Sequence, residues 1–263
     1  MTEAIDCALT VEGEGPPLIL VHGIGAARDT WRFLLPALKE RFTVVSYDLR
    51  GHGASPKSAL PFGLDDLVAD LERVRERAGF ASVHIAGHSL GGMIGPAYAR
   101  AYPERVRSLG VLSTAAFRTS EDSAKVMGVV KAMEAEGVPK ILPTLKDRWY
   151  TDAFLSARDD IVQRRMAQVI GTDPAVFLNV FRIYATVEMA PWLHEVAAPS
   201  LVLTGENDGG CPPRLNEQIA AAMPNARLTI LPGVKHSILL ECGEDVAAHL
   251  IRFIEGVEND RKD

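Results

Sequence analysis

Val83-His84-Ile85-Ala86-Gly87-His88-Ser89-Leu90-Gly91-Gly92 is the stretch on which the reading of the chain turns. A short apolar run rich in β-branched residues predicts a buried strand, and the Ala-rich segment 93–102 predicts a helix. Between them lies a tight turn with Ser89 at its apex and a glycine two residues to either side. So sharp a turn brings backbone and neighbouring elements too close for a Cβ, which is the steric reason for Gly87 and Gly91. The turn holds Ser89 at the end of a sheet and the start of a helix, where unbonded N–H groups and the helix dipole favour developing negative charge. Ser89 is therefore the candidate nucleophile.

Outward from this turn, strands and helices alternate. Leu18-Ile19-Leu20-Val21 and Thr43-Val44-Val45-Ser46-Tyr47 are apolar runs of strand length, continuous rather than alternating, as in a parallel sheet covered on both faces. A weak strand is expected over 4–11, helices over 30–39 and 63–77, and a further strand over 106–112. Segment 63–77 carries Leu64, Leu67, Val68, Leu71 and Val74 at helical spacing with charges between them. The rhythm breaks over 118–195, where helical patterns punctuated by Gly and Pro hold most of the aromatic residues. It resumes with strands over 199–204 and 226–231 and helices over 214–223 and 243–255, before a charged tail expected to fray. The economical architecture is α/β, a mostly parallel central sheet flanked by helices. Residues 1–117 and 196–263 form the core, and 118–195 form an inserted helical cap whose aromatics make a small core of their own and in part roof a crevice.

The 263 residues are 47% hydrophobic and 24% charged, with a net charge of -6. Such a chain can bury a large core and has no cationic excess to neutralise phosphates, so nucleic acid and anionic membrane are excluded as expected partners. The first residues, Met-Thr-Glu-Ala-Ile-Asp, lack the basic and apolar regions of a signal peptide, and no stretch reaches the length of a membrane span; a cytoplasmic location is the expectation. Cys7, Cys211 and Cys242 are odd in number and far apart, against a disulfide framework or a zinc site. His84 and His88 have i, i+4 spacing, but on a strand entering a turn this makes no metal pair.

Two later loops complete a chemistry. Gly205-Glu206-Asn207-Asp208 and Gly233-Val234-Lys235-His236 each follow a predicted strand, so both can converge on Ser89 at one sheet edge. A serine hydroxyl needs a base, and His236 has the pKa range to take its proton and return it to a leaving group. Asp208 would hold the imidazole in the right tautomer, with Glu206 as the rival acid. Backbone N–H groups of Leu90 and of Ile24, in the loop His22-Gly23-Ile24-Gly25, are the candidate donors to an oxyanion. His22, His52, His194 and His249 are expected in packing or on the surface. Asp48 and Arg50 are expected to pair and brace a turn beside the site. No cofactor and no metal are called for.

Leu20-Val21-His22-Gly23, Asp48-Leu49-Arg50-Gly51-His52-Gly53-Ala54-Ser55, Gly87-His88-Ser89-Leu90-Gly91-Gly92 and the two later loops together resemble the α/β-hydrolase superfamily over nearly the whole chain. The resemblance implies an eight-stranded sheet, a helical cap and a Ser, Asp, His triad. Leu112-Ser113-Thr114-Ala115-Ala116 and Arg148-Trp149-Tyr150-Thr151-Asp152-Ala153-Phe154 further resemble the 3-oxoadipate enol-lactonase branch. That implies a small-molecule ester or lactone substrate, with Arg148, Trp149 and Tyr150 as substrate-binding candidates. A carboxylate-bearing enol-lactone would need a cation near the cap, from Arg148, Arg182 or Lys235. A carbon-carbon hydrolase, an amidase or a perhydrolase would use the same triad, and a non-catalytic small-molecule receptor is the alternative of another class.

Overall fold

The computed structural model describes residues 3–57 and 59–261. Seven strands form one sheet: β1 (Leu9–Glu12), β2 (Pro17–Val21), β3 (Thr43–Tyr47), β4 (Val83–His88), β5 (Val106–Leu112), β6 (Ser200–Gly205) and β7 (Ala226–Leu231), in the order β1-β3-β2-β4-β5-β6-β7. Only β1 runs antiparallel, against β3; every other neighbouring pair is parallel. The sheet is one strand short of the eight implied by the resemblance, because the ladder at the N-terminus begins only at Leu9 and 3–8 form no strand.

The unbroken hydrophobicity of the inner strands follows from their place. Leu18 and Leu20 of β2 point into one apolar layer, and Ile19 and Val21 into the other. On the first face lie α1 (Leu35–Lys39) and α11 (Gly243–Asp260); on the second lie α2 (Leu64–Arg77) and α3 (Gly91–Ala101). The expected helix over 30–39 is a 3-10 turn, Arg28–Trp31, followed by the short α1 with a proline in its first turn. Between β5 and β6 come α4 (Ser120–Glu136), α5 (Val138–Trp149), α6 (Asp152–Ala157), α7 (Asp159–Gly171) and α8 (Pro174–Thr186). Their buried aromatics, Tyr150, Phe177, Phe181 and Tyr184, do not form a separate core but join the apolar layer on the α2 and α3 face. After β6 follow α9 (Pro213–Ala222), then β7 and the single turn α10 (Ile238–Glu241).

Two expectations are corrected by ion pairing. Arg50 does not pair with Asp48: its Nε and Nη2 both reach Asp70 of α2, each at 2.6 Å, in a fully buried bidentate pair. Asp48 takes Arg28 instead, at 2.8 Å, and accepts the N–H groups of Arg28 and Ala54. Both carboxylates sit where backbone donors or a guanidinium replace lost water, the condition for burying charge. The C-terminal helix also continues past 255 to Asp260, because Glu258 is anchored to His84 at 3.1 Å and to Arg107 at 3.4 Å. Among the described residues no helix is long and apolar enough to cross a membrane.

Candidate active site

Ser89 joins β4 to α3 with φ = 56°, a left-handed conformation that costs a non-glycine residue about 1–3 kcal/mol. Its own N–H donates to Leu112 O at 2.8 Å, which locks the turn to β5. The sequence permits the turn only through its glycines. A Cβ on Gly87 would lie 2.0 Å from Gly91 O, and one on Gly91 would lie 2.1 Å from Val21 O. Ser89 is 8% exposed, with that surface opening into a cleft. The next N–H, that of buried Leu90, has no hydrogen-bond partner among the described residues.

Asp208 and His236 stand on the loops after β6 and β7. His236 Nδ1 and Asp208 Oδ2 are 2.8 Å apart, and the other carboxylate oxygen, Oδ1, accepts the N–H groups of Gly210 and Cys211 at 3.0 and 2.8 Å. Burial alone would push the Asp208 carboxyl up, but His236 and these two N–H groups hold it below the usual carboxylate range. Burial likewise works against a charged His236, yet Asp208, with Cys211 adding to it, raises the imidazole above its ordinary value. The rival acid Glu206 is exposed and turned away, accepting Gly233 N–H at 2.8 Å. His88, the residue before the serine, sits beside His236 with ring centroids 5.0 Å apart, its Nε2 3.0 Å from His236 O.

Asp208, Cys211 and His236 also bring one oxygen, one sulfur and one nitrogen within 4.8 Å of each other. They make a poor metal set. The carboxylate is already used by the imidazole and two N–H groups, and burial raises the Cys211 thiol, so the thiolate a metal would need is disfavoured. Tyr184 Oη lies 3.1 Å from Cys211 Sγ.

Across the cleft runs the loop after β2. His22 Nε2 accepts Leu49 N–H at 2.9 Å, so its Nδ1 carries the proton and donates to Gly23 O at 2.8 Å. His52 Nε2 accepts Gly25 N–H at 3.1 Å, leaving its Nδ1 to donate to Arg50 O at 3.1 Å. Both imidazoles are neutral in this arrangement, in keeping with burial, which lowers each pKa. Ile24 N–H, like that of Leu90, has no partner among the described residues.

Ser89 and His236 line one cleft. Helices α4, α5, α7 and α8 contribute Val126, Leu145, Arg148, Trp149, Arg165 and Phe181. Of the three substrate-binding candidates, Arg148 and Trp149 line the cleft, whereas Tyr150 does not: it is buried and stacked on Phe154, ring centroids 5.5 Å apart. Neither other cation expected near the cap faces the cleft. Arg182 pairs with Glu134 on the surface at 2.7 Å, and Lys235 donates to Asp147 O at 2.9 Å and lies 3.7 Å from Asp152. Arg165 was not legible as a site residue, since an arginine next to Arg164 on an amphipathic helix has no sequence mark that separates it from a solvated one.

The alpha/beta hydrolase fold family matches residues 16–241. A putative carbamate hydrolase, RutD, of Azorhizobium caulinodans is 28% identical over 91% of this chain and 96% of its own length. 3-Oxoadipate enol-lactonase 2 of Acinetobacter baylyi is 25% identical, covering 78% of this chain and 76% of the relative. Among solved structures, a hydrolase from Pseudomonas aeruginosa PA01 superposes with a TM-score of 0.87 at 27% identity over 94% of each chain. A strand-turn-helix serine, an Asp-His pair on the next two strand ends and a match over most of the length make this chain a member of the α/β-hydrolase fold family.

Proposed function

We propose that this protein is a serine hydrolase of small carboxylic esters or lactones that works through an acyl-enzyme. The observation that carries the reading is the convergence, on one cleft, of Ser89, the Asp208-bound His236 and Ile24, whose N–H, like that of Leu90 directly after the serine, has no partner among the described residues. In the first half-reaction Ser89 Oγ attacks the carbonyl carbon while His236 Nε2 takes the hydroxyl proton. The carbonyl oxygen becomes an oxyanion accepting from Ile24 and Leu90. The carbon-oxygen bond to the leaving group then breaks, and His236 returns the proton to the departing alkoxide or enolate oxygen. In the second half a water gives its proton to His236 and attacks the acyl carbon, and Ser89 leaves with that proton restored. Asp208 keeps the imidazole in the tautomer whose Nε2 is free and stabilises it when charged.

The charged residues lining the cleft are two arginines, Arg148 and Arg165, with no carboxylate among the described lining residues. On a chain of net charge -6, such a lining favours a substrate carrying its own carboxylate, and a carboxylated enol-lactone fits both this charge and the enol-lactonase among the relatives. Arg148, exposed at the cleft and without an ion-pair partner among the described residues, is the group proposed to receive that carboxylate.

The test sets 4-nitrophenyl acetate beside a carboxylated enol-lactone, with wild type and Ser89→Ala. Turnover of the lactone well above that of the neutral ester, abolished in Ser89→Ala together with fluorophosphonate labelling, is the expected result. Turnover of the neutral ester alone would remove the enol-lactone. Activity surviving in Ser89→Ala would overturn the acyl-enzyme, and no turnover of either ester by wild type would move the reading to amide or carbon-carbon cleavage on the same residues.

A further inference from the structure

Arg165 lies 5.3 Å above the Trp149 ring in the wall of the cleft, and no carboxylate is within ion-pairing distance of it among the described residues. A guanidinium withdrawn from water needs acceptors, and burial is what lowers its pKa from the ordinary arginine value. Its acceptors are two backbone carbonyls on the core: Nη2 donates to Ile24 O at 2.8 Å and Nη1 to Gly25 O.

Those carbonyls belong to the segment that supplies Ile24 N–H, and the rest of that segment is bonded as well. The Ile24–Gly25 peptide is held at both ends, its oxygen by Arg165 and its N–H by His52 Nε2 at 3.1 Å. The preceding Gly23–Ile24 peptide is held at its oxygen by His22 Nδ1 at 2.8 Å and by Ala26 N–H at 3.3 Å. From Gly23 O through Ala26 N–H, Ile24 N–H is thus the single polar group left over among the described residues. Gly25 has φ = 61°, and a Cβ there would lie 2.6 Å from the Phe177 ring, so α8 presses directly on this loop. Helix α7 grips its continuation too, through Arg164 and Gln168 on the two oxygens of Asp29, at 2.7 and 2.5 Å.

We infer that Arg165 is a positioning residue through which the inserted helices complete the oxyanion hole: by holding the carbonyls of Ile24 and Gly25 it fixes the backbone that follows the Ile24 N–H, so that this N–H faces the oxygen developing beside Ser89. The inference rests on the acyl-enzyme reading above. The two Nη groups engage carbonyls of the loop, so the guanidinium orients the donor and also sets a fixed positive charge in the wall of the same cleft, where it favours a transition-state anion. Removing one complete oxyanion donor costs about 10²–10³ in kcat, and loosening one is expected to cost about tenfold or more. A lysine has one ammonium where arginine has a planar fork, so it cannot span both carbonyls in the same way.

The experiment uses the full-length protein and 4-nitrophenyl acetate, a neutral ester that removes substrate charge from the comparison. In Arg165→Ala, kcat is expected to fall about tenfold or more with KM within about twofold, Arg165→Lys lying between it and wild type. The Ki of a trifluoromethyl ketone, which forms an oxyanion on the serine, should rise in step with the fall in kcat/KM, which a merely structural role would not produce. Circular dichroism checks that each variant is folded, and if Arg165→Ala is not, Arg165→Lys carries the same comparison. Unchanged kcat in a folded variant, or a fall in kcat with the ketone's Ki unmoved, would overturn the role of Arg165. The acyl-enzyme reading fails on a different variant, when Ser89→Ala still hydrolyses the ester, so the two failures are distinguishable.

Discussion

At His236 and His88, two imidazoles 5.0 Å apart, the same burial leads to opposite outcomes. His88 has no carboxylate bonded to it, and burial, helped by its neighbour His236, lowers its pKa to about 3. For His236 burial acts in the same sense but is outweighed by Asp208, and the pKa ends above the ordinary value of 6.5. A base must be neutral to accept the Ser89 proton, so the sign for activity is fixed: kcat/KM falls as pH drops through the raised pKa of His236. The expected pH profile has an acid limb with its midpoint above 6.5. Asp208→Asn removes the charge that raises the imidazole and the acceptor that sets its tautomer. That variant should lose about 10³–10⁴ in kcat, with the remaining activity showing a limb shifted to lower pH. Glu206→Gln should leave both unchanged, since its carboxylate serves Gly233 N–H at the surface.

Between elements, the contact with the sharpest energetic consequence is the one between the loop after β3 and α2. Arg50 and Asp70 are both fully buried, and removing one partner of such a pair costs about 3–5 kcal/mol, because the charge left behind has lost its compensation. Asp70→Ala should lower the urea midpoint by that much stability while leaving Ser89 and His236 in place. This pairing was not legible in the sequence, where Asp48 is two residues from Arg50 and Asp70 is twenty away on a helix. What was legible shares one property, that the physics is local or periodic. Continuous apolar runs fixed the inner strands, and glycines two residues either side of Ser89 fixed the turn. Loops that follow strands in a parallel sheet end at the same edge, which is why spacing alone points to Asp208 and His236. Arg165 and Ile24 are 141 residues apart, and Tyr150 differs from Trp149 only in which side of α5's end it occupies, so neither periodicity nor spacing carried their roles.

For the molecule as a whole, the buried histidines set the response to acid. Burial lowers His22 well below 6.5, His52 and His84 to about 4, and His88 to about 3. A folded state with depressed pKa values binds fewer protons than the unfolded chain, so stability is full above pH 6.5 and falls as pH drops from there toward 4. His236, with its raised value, contributes in the opposite sense: its stabilisation is complete below 6.5 and lost as pH rises through its folded pKa. Because the His236 contribution is already complete below 6.5, the four depressed sites govern the acid side and predict a melting temperature that declines from pH 6.5 to 4, and a flat profile over that range would contradict the neutral, buried assignment of these imidazoles. The whole molecule is also shaped by where its helices are inserted. Strands β5 and β6 are hydrogen-bonded neighbours, yet the chain leaves the sheet at Leu112 and returns only at Ser200. Closing a loop costs entropy that grows only with the logarithm of its length, about 0.6 kcal/mol for each doubling. Lengthening, trimming or exchanging the inserted segment therefore shifts the closure entropy of the sheet very little, and the ring size between these two strands is close to a free variable for evolution and for engineering. The limit on such exchange comes from the polar ties the segment makes back to the core, among them the Arg165 bonds to Ile24 and Gly25, the Arg164 and Gln168 bonds to Asp29 and the Thr151 bond to Glu241.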